Sequence, residues 1–151
     1  MDLVLWRHAD AEDGMVDSER KLTAKGIKQA KRIAKWMKKQ LPPESAVLVS
    51  PARRAQQTAR ALTSEFRTVK ALGVATAPQA VLAAAGWPSA PGTVVVVGHQ
   101  PTLGEVAALL LTGKTQAWNI KKGAVWWFTC RDREDGARAQ LRAVISADLL
   151  S

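Results

Sequence analysis

Three short apolar runs constrain the fold of this 151-residue chain more than any other feature. Each run is rich in branched side chains and too short for a helix, and each precedes a segment whose apolar residues recur at helical spacing. The runs are Leu3–Trp6, Ala46–Val49 and Thr93–Val97. Because strands that alternate with helices form parallel sheets, the pattern predicts an α/β domain with a largely parallel sheet.

The first helical segment has clear ends and two different faces. Thr23 can cap free backbone N–H groups, and Pro42-Pro43 stops the helix. The predicted inner stripe consists of Ile27, Ala30, Ala34, Met37 and Leu41. The opposite face consists of Lys28, Lys31, Arg32, Lys35, Lys38 and Lys39. We expect this basic face to be solvated, although it could dock an acidic partner or nucleic acid. Nucleic acid is the less favoured partner, because Trp36 is the one aromatic residue among these lysines.

Two further helices follow the second and third runs. We expect Pro51 at the first position of one helix and Pro101 just before the other. The inner face of the earlier helix is predicted to hold Ala52, Ala55, Ala59, Leu62 and Phe66. The inner face of the later helix is predicted to hold Leu103, Val106, Ala107 and Leu110.

The remaining segments are less regular. Residues 69–74 are a candidate strand, residues 78–85 are a short helix or a loop, and a turn-rich connector follows at 86–92. A charged turn at 131–136 separates two late segments that we expect to add antiparallel edges to the sheet. These late strands are Val125–Cys130 and Leu141–Ile145.

Length and composition indicate one domain over residues 1–151. A hydrophobic fraction of 47% is sufficient for a core, and a single cysteine, Cys130, agrees with a reducing compartment. No secretory signal is present, and the apolar stretches are too short to span a bilayer. We therefore expect a cytoplasmic protein without a membrane partner. The chain has no Cys/His cluster, so we expect no metal site, and we predict no cofactor.

Cationic residues and both histidines of the chain follow the ends of the three apolar runs. Arg7 and His8 follow the first run, Arg53 and Arg54 lie shortly after the second, and His99 follows the third. Ligands bind at the carboxyl ends of strands in such sheets, so we expect these groups at one edge. Two imidazoles and several guanidinium groups, in a chain of net charge +9, favour a dianion such as phosphate. The alternative is that each histidine is merely a polar residue leaving the core.

These residue types suit phosphoryl transfer. A neutral histidine can attack phosphorus, which divides hydrolysis into transfer to the enzyme and then transfer to water. Arginine side chains would stabilise the charge on the transferred group. Such a design requires no metal, and the chain has no glycine-rich Walker loop.

Four segments, in this order and spacing, resemble the histidine phosphatase superfamily. They are "RHADA" at 7–11, "LTAKG" at 22–26, "SPARRAQQTA" at 50–59 and "VVGHQP" at 96–101. Within the superfamily, the short chain is most similar to the SixA-type phosphohistidine phosphatases. The resemblance implies a three-layer α/β/α sandwich with a mostly parallel central sheet.

The resemblance also assigns roles to individual residues. It implies that His8 is the nucleophile, that Arg7 and Arg54 bind the phosphoryl group, and that His99 donates a hydrogen bond to the phosphoryl oxygens. Arg53 falls on a variable position of the motif, so we expect it outside direct contact with the ligand.

Two departures from the superfamily pattern concern the loop after His8 and the proton donor. Ala9 stands where glycine is commonest, so this loop must use ordinary backbone angles. No Asp or Glu lies between residues 79 and 98, the region where many members carry their general acid. Asp10, Glu12 or Asp13 could donate the proton, and Asp10 could also bind substrate or orient His8, unless these three simply form an exposed acidic loop.

The expected function is metal-independent hydrolysis of phosphohistidine on a partner protein, through a covalent phosphohistidine on the enzyme. Imidazole leaves more readily than an alkoxide, so such a substrate needs little acid catalysis. The alternatives are hydrolysis of small phosphomonoesters and a catalytically silent phosphate-binding module. The oligomeric state is left open.

Overall fold

The computed structural model describes residues 1–131 and 139–151. The chain alternates between strands and helices over most of its length, and three short 3-10 turns lie at Asp17–Glu19, Lys70–Leu72 and Ala147–Leu149. The strands are β1 (Asp2–Arg7), β2 (Ala46–Val49), β3 (Arg67–Thr68), β4 (Thr93–Gly98), β5 (Val125–Thr129) and β6 (Gln140–Ile145). The helices are α1 (Ala24–Gln40), α2 (Arg53–Arg60), α3 (Pro78–Ala85) and α4 (Thr102–Thr112).

The strands form one sheet in the order β3-β2-β4-β1-β5-β6. The pairs β2–β3, β2–β4 and β1–β4 are parallel, and β5 runs antiparallel to both β1 and β6. This arrangement confirms the predicted mostly parallel sheet with a late antiparallel edge. The charged turn predicted at 131–136 lies outside the described residues except for Arg131.

Helices cover both faces of the sheet, which gives the predicted three layers. On one face, α1 and α2 pack against strand residues that include Val4, Trp6 and Val97. On the other face, α3 and α4 pack against strand residues that include Leu5 and Val96. Successive residues of a strand point to opposite faces, so a single apolar run such as β1 supplies both cores. None of the described helices is long and apolar enough to cross a bilayer.

The capping of α1 is as predicted, but the prediction that Ile27 belongs to its inner stripe is wrong. The Thr23 side chain accepts a hydrogen bond from the Gly26 backbone N–H. Ile27 is 42% exposed, whereas Ile33 is completely buried. The buried face is centred on Gly26, Ala30, Ile33 and Met37, so Ile27 falls at its margin. All six predicted basic residues are exposed.

Two other predicted boundaries are wrong. The Ala52 N–H donates to Ser50 Oγ and Ala52 has extended backbone angles, so α2 begins at Arg53 and Pro51 precedes the helix. The same helix ends at Arg60, which leaves Leu62 and Phe66 beyond it.

The two predictions left open for the segment before β4 have clear outcomes. The candidate strand at 69–74 is wrong. The chain pairs with β2 at Arg67–Thr68, the Val69 N–H donates a last hydrogen bond to the Val49 carbonyl, and the chain then turns so that Leu72 enters the core beside Val81. Residues 78–85 form a helix, α3.

Candidate active site at the carboxyl edge of the sheet

The register between β1 and β4 brings the two histidines together. Arg7 pairs with Gly98, and the His8 backbone N–H donates to the Gly98 carbonyl at 3.1 Å. His8 and His99 therefore leave neighbouring parallel strands side by side. Their ring centroids lie 5.2 Å apart, and the rings are tilted by 54°.

The surroundings of His8 define which of its nitrogens can react. Its Nδ1 lies 2.8 Å from the Ala9 carbonyl oxygen, and because a carbonyl only accepts hydrogen bonds, Nδ1 carries the proton. The lone pair is then on Nε2. Burial, followed by the charges of Arg54 and Arg7, lowers the pKa of His8 to about 4. The imidazole is therefore neutral at pH 7, the form that can act as a nucleophile.

His99 is oriented by Ser50, a residue to which sequence analysis assigns no role. Its Nε2 lies 2.7 Å from Ser50 Oγ, while its buried Nδ1 has no hydrogen-bond partner among the described residues. Burial, followed by the nearby His8, lowers the pKa of His99 to about 3. The sequence indicated this contact only in that Ser50 follows an apolar run, as His99 does. In the structure the two runs are the adjacent strands β2 and β4.

Arg54 is buried and is held from one side by Asp17. Its Nη1 donates to the Asp17 carbonyl at 2.8 Å, and its Nη2 donates to Asp17 Oδ2 at 3.2 Å. These bonds engage the end of the guanidinium, whereas Nε has no partner among the described residues. The side edge formed by Nε and Nη2 matches the spacing of two phosphate oxygens. Asp17 could not be predicted from local sequence, because 37 residues separate it from Arg54.

Arg7 has one anchored end and one unpartnered nitrogen. Its Nη1 donates to the Ile120 carbonyl at 2.7 Å, and its Nε is buried without a partner. Across the described residues, the buried side-chain N and O atoms without a hydrogen-bond partner are Arg7 Nε, Arg54 Nε and His99 Nδ1. All three therefore belong to residues that the sequence assigned to one site. Buried polar groups are seldom left unpaired unless they have a functional role.

The structure does not place Asp10 against His8. Its Oδ2 accepts from Thr23 Oγ1 at 2.7 Å, and its Oδ1 pairs with Lys122 Nζ at 3.0 Å. The hydrogen bond from Thr23, followed by that from Lys122, lowers the pKa of this carboxyl. Asp10 therefore fastens the loop after β1 to α1, and the Ala9 carbonyl takes the orienting position expected of Asp10.

The loop after β1 is also fastened to α2. The Ala9 backbone N–H donates to Thr58 Oγ1 at 3.0 Å, and Thr58 Oγ1 donates to the Arg54 carbonyl at 2.8 Å. Among the described residues, Ala75 is the one non-glycine residue with positive φ, so Ala9 has ordinary backbone angles as expected. Thr58 thus couples the position of His8 to that of Arg54.

The other candidate residues lie at the surface. Glu12, Asp13 and Arg53 are exposed and line a cavity of about 360 Å³ beside the loop that carries Asp17. In the part of the chain that the structure describes, no group of three or more His, Cys, Asp or Glu side chains could hold a metal ion.

A model of the histidine phosphatase superfamily (branch 1) matches residues 3–73, which carry β1, α1, β2 and α2. An uncharacterized protein of Picosynechococcus sp. is 35% identical over 136 residues, which cover 83% of this chain and 82% of that protein. The Escherichia coli phosphohistidine phosphatase SixA is 31% identical over 128 residues, which cover 76% of this chain and 77% of SixA. The chain belongs to the histidine phosphatase superfamily.

Its similarity within the superfamily is to the SixA-type phosphohistidine phosphatases. A structure of the protein histidine phosphatase SixA complexed with tungstate has a TM-score of 0.81 and 26% identity. The match covers 99% of both chains. The match therefore includes the edge strands β5 and β6, which lie beyond the segment matched by the superfamily model.

Proposed function

We propose that this phosphatase hydrolyses phosphohistidine carried by a partner protein. The observation that carries the proposal is the set of three unpartnered buried nitrogens on Arg7, Arg54 and His99, beside the neutral imidazole of His8. A phosphoryl group offers several anionic oxygens in a tetrahedral arrangement, which suits converging N–H donors.

In the first step, the lone pair on His8 Nε2 attacks phosphorus. A new P–N bond forms to His8, and the P–N bond to the substrate imidazole breaks. The phosphoryl group leaves with no change in oxidation state, and the departing nitrogen takes the electron pair of the broken bond. Arg54 and Arg7 stabilise the charge on the equatorial oxygens during the transfer.

The carboxylates near the site favour a leaving group that needs little acid catalysis. Hydrogen bonds from Arg20 and Arg54 lower the pKa of Asp17, and Asp10 is ionised beside Thr23 and Lys122. An ionised carboxylate is a poor proton donor for an alkoxide. An imidazole with an ordinary pKa near 6.5 can instead leave as a neutral ring, with its other nitrogen protonated beforehand.

In the second step, water attacks the phosphorus of phospho-His8. A P–O bond to the water oxygen forms as the P–N bond to His8 breaks, and His8 Nε2 regains its lone pair. The product leaves as inorganic phosphate, which keeps one proton of the water and either keeps the other or releases it to solvent. Names of similar proteins support the substrate class, since both the E. coli relative and the tungstate-bound structure are called SixA histidine phosphatases. Tungstate is a tetrahedral oxyanion, as is phosphate.

The test compares two peptides of identical sequence, one with phosphohistidine and one with phosphoserine at the same position. We expect kcat/KM for the phosphohistidine peptide to be higher by at least about 100-fold, because the serine alkoxide needs a proton donor and the carboxylates described beside the site, Asp10 and Asp17, are ionised. Within the enzyme, Asp17→Asn should lower kcat/KM for both peptides, because Asp17 holds Arg54, whereas Asp13→Asn, which removes the same charge from an exposed position nearby, should leave it unchanged. Equal turnover of the two peptides, or hydrolysis of sugar phosphates at the phosphohistidine rate, would contradict the proposal.

A further inference from the structure

Helix α1 carries an unusual concentration of positive charge. Its 17 residues include seven Lys or Arg and no Asp or Glu. All seven side chains are exposed: Lys25, Lys28, Lys31, Arg32, Lys35, Lys38 and Lys39. Among residues 1–131 and 139–151, none of the salt bridges involves an α1 side chain.

This charge is unfavourable for the helix itself. Like charges three and four positions apart repel each other, as do Lys28 and Arg32 or Lys31 and Lys35. Lys25 also lies in the first turn, where the helix dipole favours negative charge. A feature that breaks local stability rules without local compensation is expected where it serves a function.

Five of these residues form a line that starts beside Arg7, one residue of the candidate active site. Their spacing of three or four places them along one side of the helix over about 21 Å. We call this line the basic track, and it consists of Lys25, Lys28, Arg32, Lys35 and Lys39. At its first residue, the track meets a cavity of about 320 Å³. Arg7, Lys25, Lys121 and Lys122 line that cavity, with Asp148 as the carboxylate there.

We propose that the basic track is the docking surface for an acidic face of the partner protein that carries phosphohistidine. This inference rests on the proposed function. A partner that presents its phosphoryl group between His8 and Arg54 must lie across the rim of the site, where the track begins. Complementary charge would speed its encounter and fix its orientation.

The surroundings of the track favour a protein partner over single-stranded nucleic acid. Single-stranded nucleic acid binds by stacking its bases on aromatic side chains. Trp36, the aromatic residue of α1, is half-buried and packs edge-on against Trp127, with ring centroids 6.1 Å apart. It therefore belongs to the core and not to a stacking surface.

The test uses two synthetic phosphohistidine peptides that differ only in a glutamate-rich or a lysine-rich tail. Free phosphohistidine serves as the small substrate. For the natural chain at low salt, we expect kcat/KM to favour the acidic peptide by about tenfold or more, and 0.5 M salt to abolish the preference. The two peptides should differ little in maximal rate, since the track does not touch the reacting atoms.

The track variant is Lys28→Glu/Arg32→Glu/Lys35→Glu, and its matched control is Arg67→Glu/Lys70→Glu/Lys114→Glu. All six positions are exposed, and both variants change the net charge equally. The track variant should lose or reverse the peptide preference, whereas the control should keep it. Turnover of free phosphohistidine should stay within about twofold in both. The neutral variant Lys28→Gln/Arg32→Gln/Lys35→Gln should give an intermediate preference.

A preference that is absent in the natural chain, or unchanged in the track variant, would overturn the docking proposal. Loss of affinity for arbitrary duplex DNA in the track variant, with the peptide preference intact, would overturn it in favour of nucleic acid. If no phosphohistidine substrate is turned over, the proposed function fails instead. Fluorescence anisotropy of the two unphosphorylated tails would then still report whether the track selects acidic peptides.

Discussion

The polar side chains at the two ends of strand β1 differ in whether their hydrogen-bonding groups have partners. At the first residue, the Asp2 carboxylate accepts hydrogen bonds from Thr129 Oγ1 at 2.6 Å, Trp127 Nε1 at 2.9 Å and Arg142 Nη1 at 2.9 Å. At the last residue, Arg7 keeps a buried Nε without a partner among the described residues. The same strand thus begins in a satisfied polar network and ends in an unsatisfied one.

We infer that the Asp2 end of β1 serves stability and that the Arg7 end serves function. A satisfied network fixes the antiparallel edge formed by β5 and β6 and contributes to folding. Unpaired donors cost stability, typically about 1–3 kcal/mol for each buried group, and this cost is offset only when a ligand binds. The two ends should therefore respond differently to substitution.

The largest effect is expected at the carboxyl end. Arg54→Ala and His99→Ala should each lose about 2–4 kcal/mol of transition-state stabilisation, because each removes a preorganised donor to the transferred group. This loss corresponds to a decrease in kcat/KM of roughly 30- to 1,000-fold. Steady-state kinetics with phosphohistidine measure it. A kcat/KM for either variant within about threefold of the natural chain would contradict the claim that the carboxyl end of β1 serves catalysis.

An NMR titration of the two histidines tests the burial of the site without a substitution. Burial keeps the pKa values of His8 and His99 at about 4 and about 3, so neither imidazole NMR signal should show a titration midpoint between pH 8 and pH 5 in phosphate-free buffer. Unfolded histidines bind protons near pH 6.5, so the free energy of unfolding should also fall as the pH decreases below that value. A midpoint near 6.5 for either histidine would contradict the buried, neutral pair.

The smallest effect on activity is expected at the opposite end. Asp2→Asn should lower the free energy of unfolding by about 1–3 kcal/mol, because an amide nitrogen would face donors that now bind a carboxylate. Urea denaturation measures this change. Turnover should stay within about twofold, and a larger loss would mean that the two ends are coupled.

Local sequence predicted much of this structure, because strand ends and helix caps depend on neighbouring residues. The Thr23 cap, the three parallel strands and the meeting of His8 with His99 all follow from such local rules combined with sheet topology. Contacts between distant segments did not follow. The Asp17–Arg54 and Ser50–His99 hydrogen bonds join residues 37 and 49 positions apart, and their formation depends on tertiary packing.

Asp10 shows that closeness in sequence does not by itself predict a side-chain contact. It lies two residues after His8, yet the turn between them directs its carboxylate to Thr23 and Lys122. Ile27 shows a similar limit for periodicity, because a residue at the margin of a helical stripe is buried only if the neighbouring helix reaches it.

Trapping of the phosphorylated enzyme tests the central claim most directly. The natural chain is incubated with a labelled phosphodonor and quenched in base, and the label on the protein is then measured. We predict a base-stable, acid-labile label that is absent in His8→Ala and present, though formed more slowly, in His99→Ala. Label that persists in His8→Ala would contradict the account.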